Sequence, residues 1–193
     1  MRLISCIFPV FFSFFSFAQE YSFHRHDMFL TLRSGYFSNL YNGSQWSVQV
    51  PPTSLQFDYC VLDYFTSSEH SIGAGIILNY GQYKASYEGG SLGIDYTVYG
   101  LGLRSDYHFY LSSRNDVYGG LMLWYLREDK EPFGNQLQIP DVALGGLKLA
   151  FFAGWKFYIR KHWGLMLEAE SRVAWINAGI VYRFLYNDFT PKR

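Results

Sequence analysis

Hydrophobic residues recur at every second position in eight stretches of this chain, and turn-forming residues separate the stretches. A period of two belongs to a β-strand whose faces meet different surroundings. The pattern predicts strands over residues 28 to 37, 55 to 64, 71 to 80, 94 to 107, 117 to 126, 144 to 158, 163 to 172 and 175 to 184. Each has ten or more residues, the length a tilted strand needs to cross a bilayer. In the third, Ile72, Ala74, Ile76, Leu78 and Tyr80 share one face, and Gly73, Gly75 and Asn79 the other. In the seventh, Leu165, Leu167, Ala169 and Ser171 oppose Gly164, Glu168, Glu170 and Arg172. One face is apolar and the other is small or charged. The fifth, VYGGLMLWYL, is apolar on both faces, so alternation leaves its orientation open.

The connections suggest how the strands are joined. Those after strands two, four and six (FTSSEH, HFYLSSRND, IRKH) are short, and those after one, three and five (SNLYNGSQWSVQVPPTS, GQYKASYEGGSLG, REDKEPFGNQLQIPDVA) are long and polar. The last, around Val173 and Ala174, is a tight hairpin. Long connections at one end and short turns at the other are expected of an antiparallel up-and-down barrel with an even number of strands. Such a barrel could be soluble, with a greasy interior, or membrane-spanning, with a polar one. Arg33, Asp58, Arg104, Asp106, Lys148, Lys156, Glu168, Glu170, Arg172 and Arg183 all lie opposite the apolar face of their strands. Charges gathered in a polar lumen can pair, whereas a lone charge in an apolar pocket costs several kcal/mol. Aromatic residues mark the strand ends: Tyr64, Tyr107, Trp163, Tyr182 and Phe184 at one, and Tyr36, Tyr80, Trp124, Tyr125 and Trp175 at the other. Those are girdle positions of a membrane barrel.

Composition agrees. Aromatic residues make up 21% of the chain, with 18 Gly besides, which suits strands with aromatic girdles. Sixteen basic residues balance sixteen acidic ones, which argues against nucleic acid, where a clustered basic excess is expected. The first residues, MRLISCIFPVFFSFFSFAQE, read as a secretory signal peptide over 1 to 18, with cleavage expected after Ala18. Residues 19 to 186 then form one barrel domain and 187 to 193 a short periplasmic tail. Cleavage also removes Cys6 and leaves Cys60 alone, so no intramolecular disulfide is expected.

Near the C-terminal end the chain reads NAGIVYRF, residues 177 to 184. The order of Asn177, Gly179, Tyr182 and Phe184 resembles the assembly signal in the last strand of bacterial outer-membrane barrels. Together with the strand pattern and the signal peptide, it makes nearly the whole mature chain similar to the small eight-stranded barrels of the OmpA and OmpX type. That resemblance implies an outer-membrane location, a monomer, contact with outer-membrane lipid and lipopolysaccharide, and recognition of the last strand by the barrel assembly machinery. It also implies surface partners for the long loops. The chain departs from the pattern in continuing past Phe184 and in its short last loop.

No candidate for catalysis or cofactor binding emerges from the spacing. His24 and His26 could share a metal, yet no Cys, Asp or Glu pattern completes a site, so no metal or other cofactor is expected. Asp106 and His108 would form half of a triad on the lumen face, where an interior ion pair is the commoner outcome. Gly100-Leu101-Gly102 lies mid-strand without a following helix and reads as small lumen residues. Asn42-Gly43-Ser44 and Glu88-Gly89-Gly90 are turn chemistry, and Pro51-Pro52 stiffens the return to strand two. The enzymatic alternative is a lipid A deacylase, but all five histidines fall away from the strand ends where outer-leaflet lipid would lie. A narrow ion or water pore is a further alternative, although eight strands leave an interior that side chains can fill. The expectation is an all-β, eight-stranded transmembrane barrel that is not an enzyme and has a structural or surface-interaction role.

Overall fold

The structure, a computed structural model, describes residues 26–38, 40–41, 43–63, 70–87, 90–112, 114–134 and 145–185. The signal peptide, His24, Asn42, Tyr64, Glu88, Gly89 and the tail from 187 to 193 lie outside them.

The strands are β1 (Met28–Ser38), β2 (Trp46–Asp63), β3 (His70–Tyr87), β4 (Leu92–Ser112), β5 (Asn115–Phe133), β6 (Gly146–Tyr158), β7 (Trp163–Glu170) and β8 (Ala174–Phe184). Each pairs antiparallel with its neighbours in sequence, and β1 pairs with β8 to close the barrel. Closure runs from Met28 opposite Phe184 to Ser38 opposite Ala174. Every strand then has a partner on both sides over this part of its length, so no backbone edge is left open there. Gly179 sits where β1 comes closest, since a Cβ there would strike the backbone of Leu32 and Arg33.

All eight expected strands are present, but half of the barrel wall is taller than expected. β2 to β5 have 18, 18, 21 and 19 residues, against 11, 13, 8 and 11 for β1, β6, β7 and β8. Much of what reads as long polar loop is therefore strand: 46 to 54, 81 to 87, 92 to 93 and 127 to 133 all belong to the sheet. Alternation continues through 81 to 87 with its sense reversed, Tyr83 and Ala85 inward and Gln82 and Lys84 outward, which is why that segment reads as polar. Seven more residues in β3 carry the wall about 23 Å further along the strand. Pro51 and Pro52 lie within β2, at the register shift between Val50 and Thr53 and past Ser54 and Thr53, where pairing with β1 ends. They occupy a free edge, where a missing N–H costs no ladder bond. HFYLSSRND likewise proves to be mainly strand, since β4 runs to Ser112 and β5 begins at Asn115.

The end carrying the β1–β2, β3–β4, β5–β6 and β7–β8 connections is called the loop end, and the other the turn end. β5 faces inward with Tyr118, Met122, Trp124 and Leu126 and outward with Val117, Leu121, Leu123 and Tyr125. This corrects the girdle assignment of Trp124: it shares parity with the buried set, and its indole is fully enclosed. Gly100 and Gly102 of β4 make the slot, because a Cβ on either would press on that ring.

Candidate functional site

The barrel interior holds an ion-pair network built by alternation, since each strand sends every second side chain inward. Arg104 of β4 is its hub, with Nε 3.4 Å from Asp58 and 3.2 Å from Asp106, and Nη2 3.2 Å from Glu168. Its guanidinium lies 3.9 Å from the centre of the Phe152 ring, a cation–π arrangement. Gly75 leaves room here, because a Cβ would meet Asp58 and the Arg104 stem. Arg33 of β1 donates to Glu168 and, at 3.0 Å, to Glu170. Glu168 also accepts the Tyr118 hydroxyl at 3.0 Å, and Glu170 the Trp124 indole N–H at 2.9 Å and the Val173 amide at 3.2 Å. Lys156 Nζ stands 3.8 Å from Asp58 and 4.0 Å from the centre of the Phe29 ring. Each charge in this set has an opposite charge close by, the condition under which buried ions persist.

Nearer the turn end, His108 is held between two carboxylates. Nδ1 lies 2.9 Å from both oxygens of Asp116, and Nε2 is 3.2 Å from Asp106. Ser71 stands opposite His108 in register, but its hydroxyl is 3.3 Å from that of Tyr110. Both imidazole nitrogens face carboxylates, so neither is placed to take a proton from a serine, and the triad geometry is not formed.

Towards the loop end the interior changes character. Tyr41, from the β1–β2 connection, folds into the mouth with its ring 4.4 Å from Trp46, 4.7 Å from Tyr83 and 5.1 Å from Tyr96. Its hydroxyl donates to Glu128 at 3.0 Å. Burial pushes the Tyr41 phenol well above its usual range, and the Glu128 carboxylate beside it adds to the shift. Ile94, Val98 and Ala85 complete an apolar cap continuous with Trp124 and Leu126 below.

The exterior decides the barrel's class. Leu32, Leu55, Ile76, Leu78, Leu101, Leu103, Leu121, Leu123, Leu149, Phe151, Leu165, Leu167 and Ile180 are all exposed and form a continuous apolar band around a charged interior. Tyr36, Tyr80, Tyr99, Tyr125 and Trp175 border it at the loop end, and Tyr107 and Trp163 at the turn end. A band of this size in water would be an aggregation surface; bounded by aromatic girdles, it matches hydrocarbon. The chain is an eight-stranded transmembrane β-barrel. It shares the architecture of the OmpA and OmpX type.

No protein-family model and no curated protein matches the chain. Among solved structures, this barrel is similar to the outer membrane protein Ail of Yersinia pestis in a phospholipid bilayer nanodisc, at 16% identity and a TM-score of 0.45, over 83% of this chain and 100% of that one. A de novo designed transmembrane barrel gives 12% and 0.44, over 87% and 100%. OprG of Pseudomonas aeruginosa gives 12% and 0.40, over 83% and 96%. The membrane assignment rests on the barrel's own two faces, and likenesses this remote add nothing to it.

The remaining site expectations divide. Arg33, Asp58, Arg104, Asp106, Lys156, Glu168, Glu170 and Arg183 are buried inside the barrel. Arg183 is tied to the turn end, donating to the Lys161 carbonyl at 2.8 Å, with its guanidinium 4.1 Å from the centre of the Tyr158 ring. Lys148 is on the interior face but half-buried near the loop end, opposite Trp124. Arg172 departs from expectation: β7 stops at Glu170, and Arg172 is exposed in the β7–β8 connection, donating to the Leu149 carbonyl at 2.9 Å. A three-residue turn breaks the alternation that put it with Glu168 and Glu170. Asn177 is buried and donates to the Ala174 carbonyl at 3.3 Å, while Tyr182 packs between Trp163 at 4.8 Å and Phe184 at 4.6 Å. Sequence reasoning missed Asp116, Tyr118, Trp124 and Tyr41 as partners of the interior charges. Asp116 falls in HFYLSSRND, which reads as a turn, and Tyr118 and Trp124 lie on the strand whose alternation leaves its facing open. His26 is exposed and contacts the Tyr59 hydroxyl, and His162 Nδ1 lies 2.9 Å from the Arg183 carbonyl. Among the described residues no group of three or more His, Cys, Asp or Glu is placed to hold a metal.

Proposed function

We propose that this barrel sits in a bacterial outer membrane with its loop end outward, and serves there as a structural or surface-interaction protein without a wide pore. The observation that carries the reading is the filled interior. From Arg183 against Tyr158 at the turn end, through the Arg104 and Arg33 ion pairs, to the Tyr41 cap, side chains occupy the lumen in succession. Eight strands enclose about as much space as side chains can fill. The lipid-facing band would contact outer-membrane lipid and lipopolysaccharide as a monomer. Asn177, Gly179, Tyr182 and Phe184 would present the last strand to the assembly machinery, and residues 1 to 18 would direct export, with cleavage after Ala18. The wall of β2 to β5 beyond the band offers the surface for partners.

Two measurements test this. Purified barrel in planar lipid bilayers should give no discrete current steps; regular steps would favour the narrow pore. On intact cells, protease should cut tags placed at Asn42, Gly89 or Asn135 and spare tags at Ser67, Ser112 or Lys161. The reverse pattern would invert the orientation.

A further inference from the structure

A cleft of about 270 Å³ opens at the loop end between β1, β8 and the start of the tall wall. Tyr41, Trp46 and Tyr83 supply aromatic walls, and Ser38 and Ser47 lie on the lining. Ser38 Oγ donates to the Tyr83 hydroxyl at 3.2 Å and accepts the Leu40 amide at 3.2 Å, so the polar floor is fixed in place. None of the lining residues carries a charge, in contrast with the lumen below.

Two further residues point to a ligand at the level of the membrane surface. Trp175 lines the cleft and is 57% exposed at the border of the apolar band, so the opening meets the lipid-facing side. Phe37 also lines it, is 74% exposed and has φ of 55°, a left-handed conformation that bulky residues rarely adopt. Backbone held there, with its ring turned outward at the mouth, marks a position worth reading for function.

The chemistry of the lining limits the occupant. A phosphate would find no cation among the lining residues, and an ammonium no carboxylate. A pyranose ring offers one apolar C–H face, which stacks on aromatic rings, and an edge of hydroxyls that pair with serine and tyrosine. The volume is just below the roughly 300–1,000 Å³ of drug-sized sites, which suits a single ring. We propose that this cleft binds the neutral sugar headgroup of a glycolipid lying in the leaflet at the loop end. The proposal deepens the surface-interaction reading and rests on it for the identity of that leaflet.

The test uses the folded barrel in a polyoxyethylene detergent, which has neither sugar nor choline heads, and native mass spectrometry to count retained lipid. The probes are a monoglucosyl diacylglycerol, phosphatidylglycerol, phosphatidylcholine and free glucose oligosaccharide. One glucolipid should be retained, in preference to either phospholipid by about tenfold, with rings and hydroxyls supplying the difference. Trp46→Ala should abolish that preference and Trp46→Phe should keep most of it, both with the heat-dependent gel shift of the folded barrel intact. Equal retention of all three lipids, retention unchanged in Trp46→Ala, or free sugar bound as tightly as glucolipid would each overturn the proposal. Location does not enter this experiment. Glucolipid retention combined with tags hidden on intact cells would therefore count against the cellular reading alone, and the reverse against the cleft alone.

Discussion

Strands β3 and β4 each pass through two environments, and their faces exchange roles between them. Below the tyrosines of the loop-end girdle, β3 and β4 turn Ile76, Leu78, Leu101 and Leu103 outward and Gly75, Arg104 and Asp106 inward. Above it, the same strands turn Gln82, Lys84, Asp95 and Thr97 outward and Tyr83, Ala85, Ile94 and Tyr96 inward. The outer face of β5 changes at the same level, from Leu123 and Tyr125 to Arg127 and Asp129, while Glu128 and Lys130 turn toward the mouth beside Tyr96. The backbone does nothing different at this height, and the ladder between β3 and β4 runs without a register shift from His70 to Tyr87. What changes is the solvent. Against hydrocarbon the apolar face must point out and charges must pair inside; against water the ordinary rule returns and rings pack inward.

If the lower interior is held by ion pairs and the upper by packing, removing one group from each should have different consequences. The largest effect is expected from Arg104→Ala, which leaves Asp58, Asp106 and Glu168 facing one another without their common cation. It should cost about 5 kcal/mol, seen as loss of the heat-modifiable folded band. Glu170→Leu removes the acceptor that Arg33 Nη2, the Trp124 indole and the Val173 amide share, leaving Arg33 to Glu168 alone, and should cost about 3 kcal/mol. A rise in the urea midpoint instead would mean that Glu170 faces lipid.

In the upper region the effects should be smaller and local. Tyr41→Phe removes the hydrogen bond to Glu128, worth about 1 kcal/mol, and should speed proteolysis at residues 43 to 45 while the barrel keeps its gel shift. Because the folded phenol titrates above its usual value, that packing is fully present below a pH of about 10 and is lost as pH rises beyond it. Proteolysis of wild type should accelerate in that range, and Tyr41→Phe should not. The smallest change belongs to the upper exterior. Lys84 and Asp95 are 3.8 Å apart with both side chains substantially exposed, so Lys84→Leu should shift stability by roughly 0.5 kcal/mol or less.

Much of the lower barrel is legible in the sequence, because a period of two with one greasy face translates directly into facing. The charges of β1, β2, β4 and β7 could be placed inside from their neighbours Leu32, Phe57, Leu103 and Leu167 alone. The upper wall was hidden for the same reason: Gln82, Lys84 and Ser86 alternate with Tyr83, Ala85 and Tyr87, but a polar outer face with turn residues nearby reads as loop. β5 gave no facing, since Met122 and Leu123 are equally apolar, and only closure with Glu170 across the lumen distinguishes Trp124 from Tyr125. Arg172 shows the opposite failure, an alternation extended two residues past the real end of its strand.

The exchange of faces along β3 is most directly read by attaching a nitroxide to single cysteines at 76, 78, 82, 84 and 86, after replacing the buried Cys60. Collision with oxygen, which concentrates in hydrocarbon, is compared with collision with a water-soluble nickel chelate. Oxygen should dominate at 76 and 78 and the chelate at 82, 84 and 86, with the crossover at Tyr80. Oxygen dominating at 84 and 86 as well, or the chelate dominating at 76 and 78, would contradict the account.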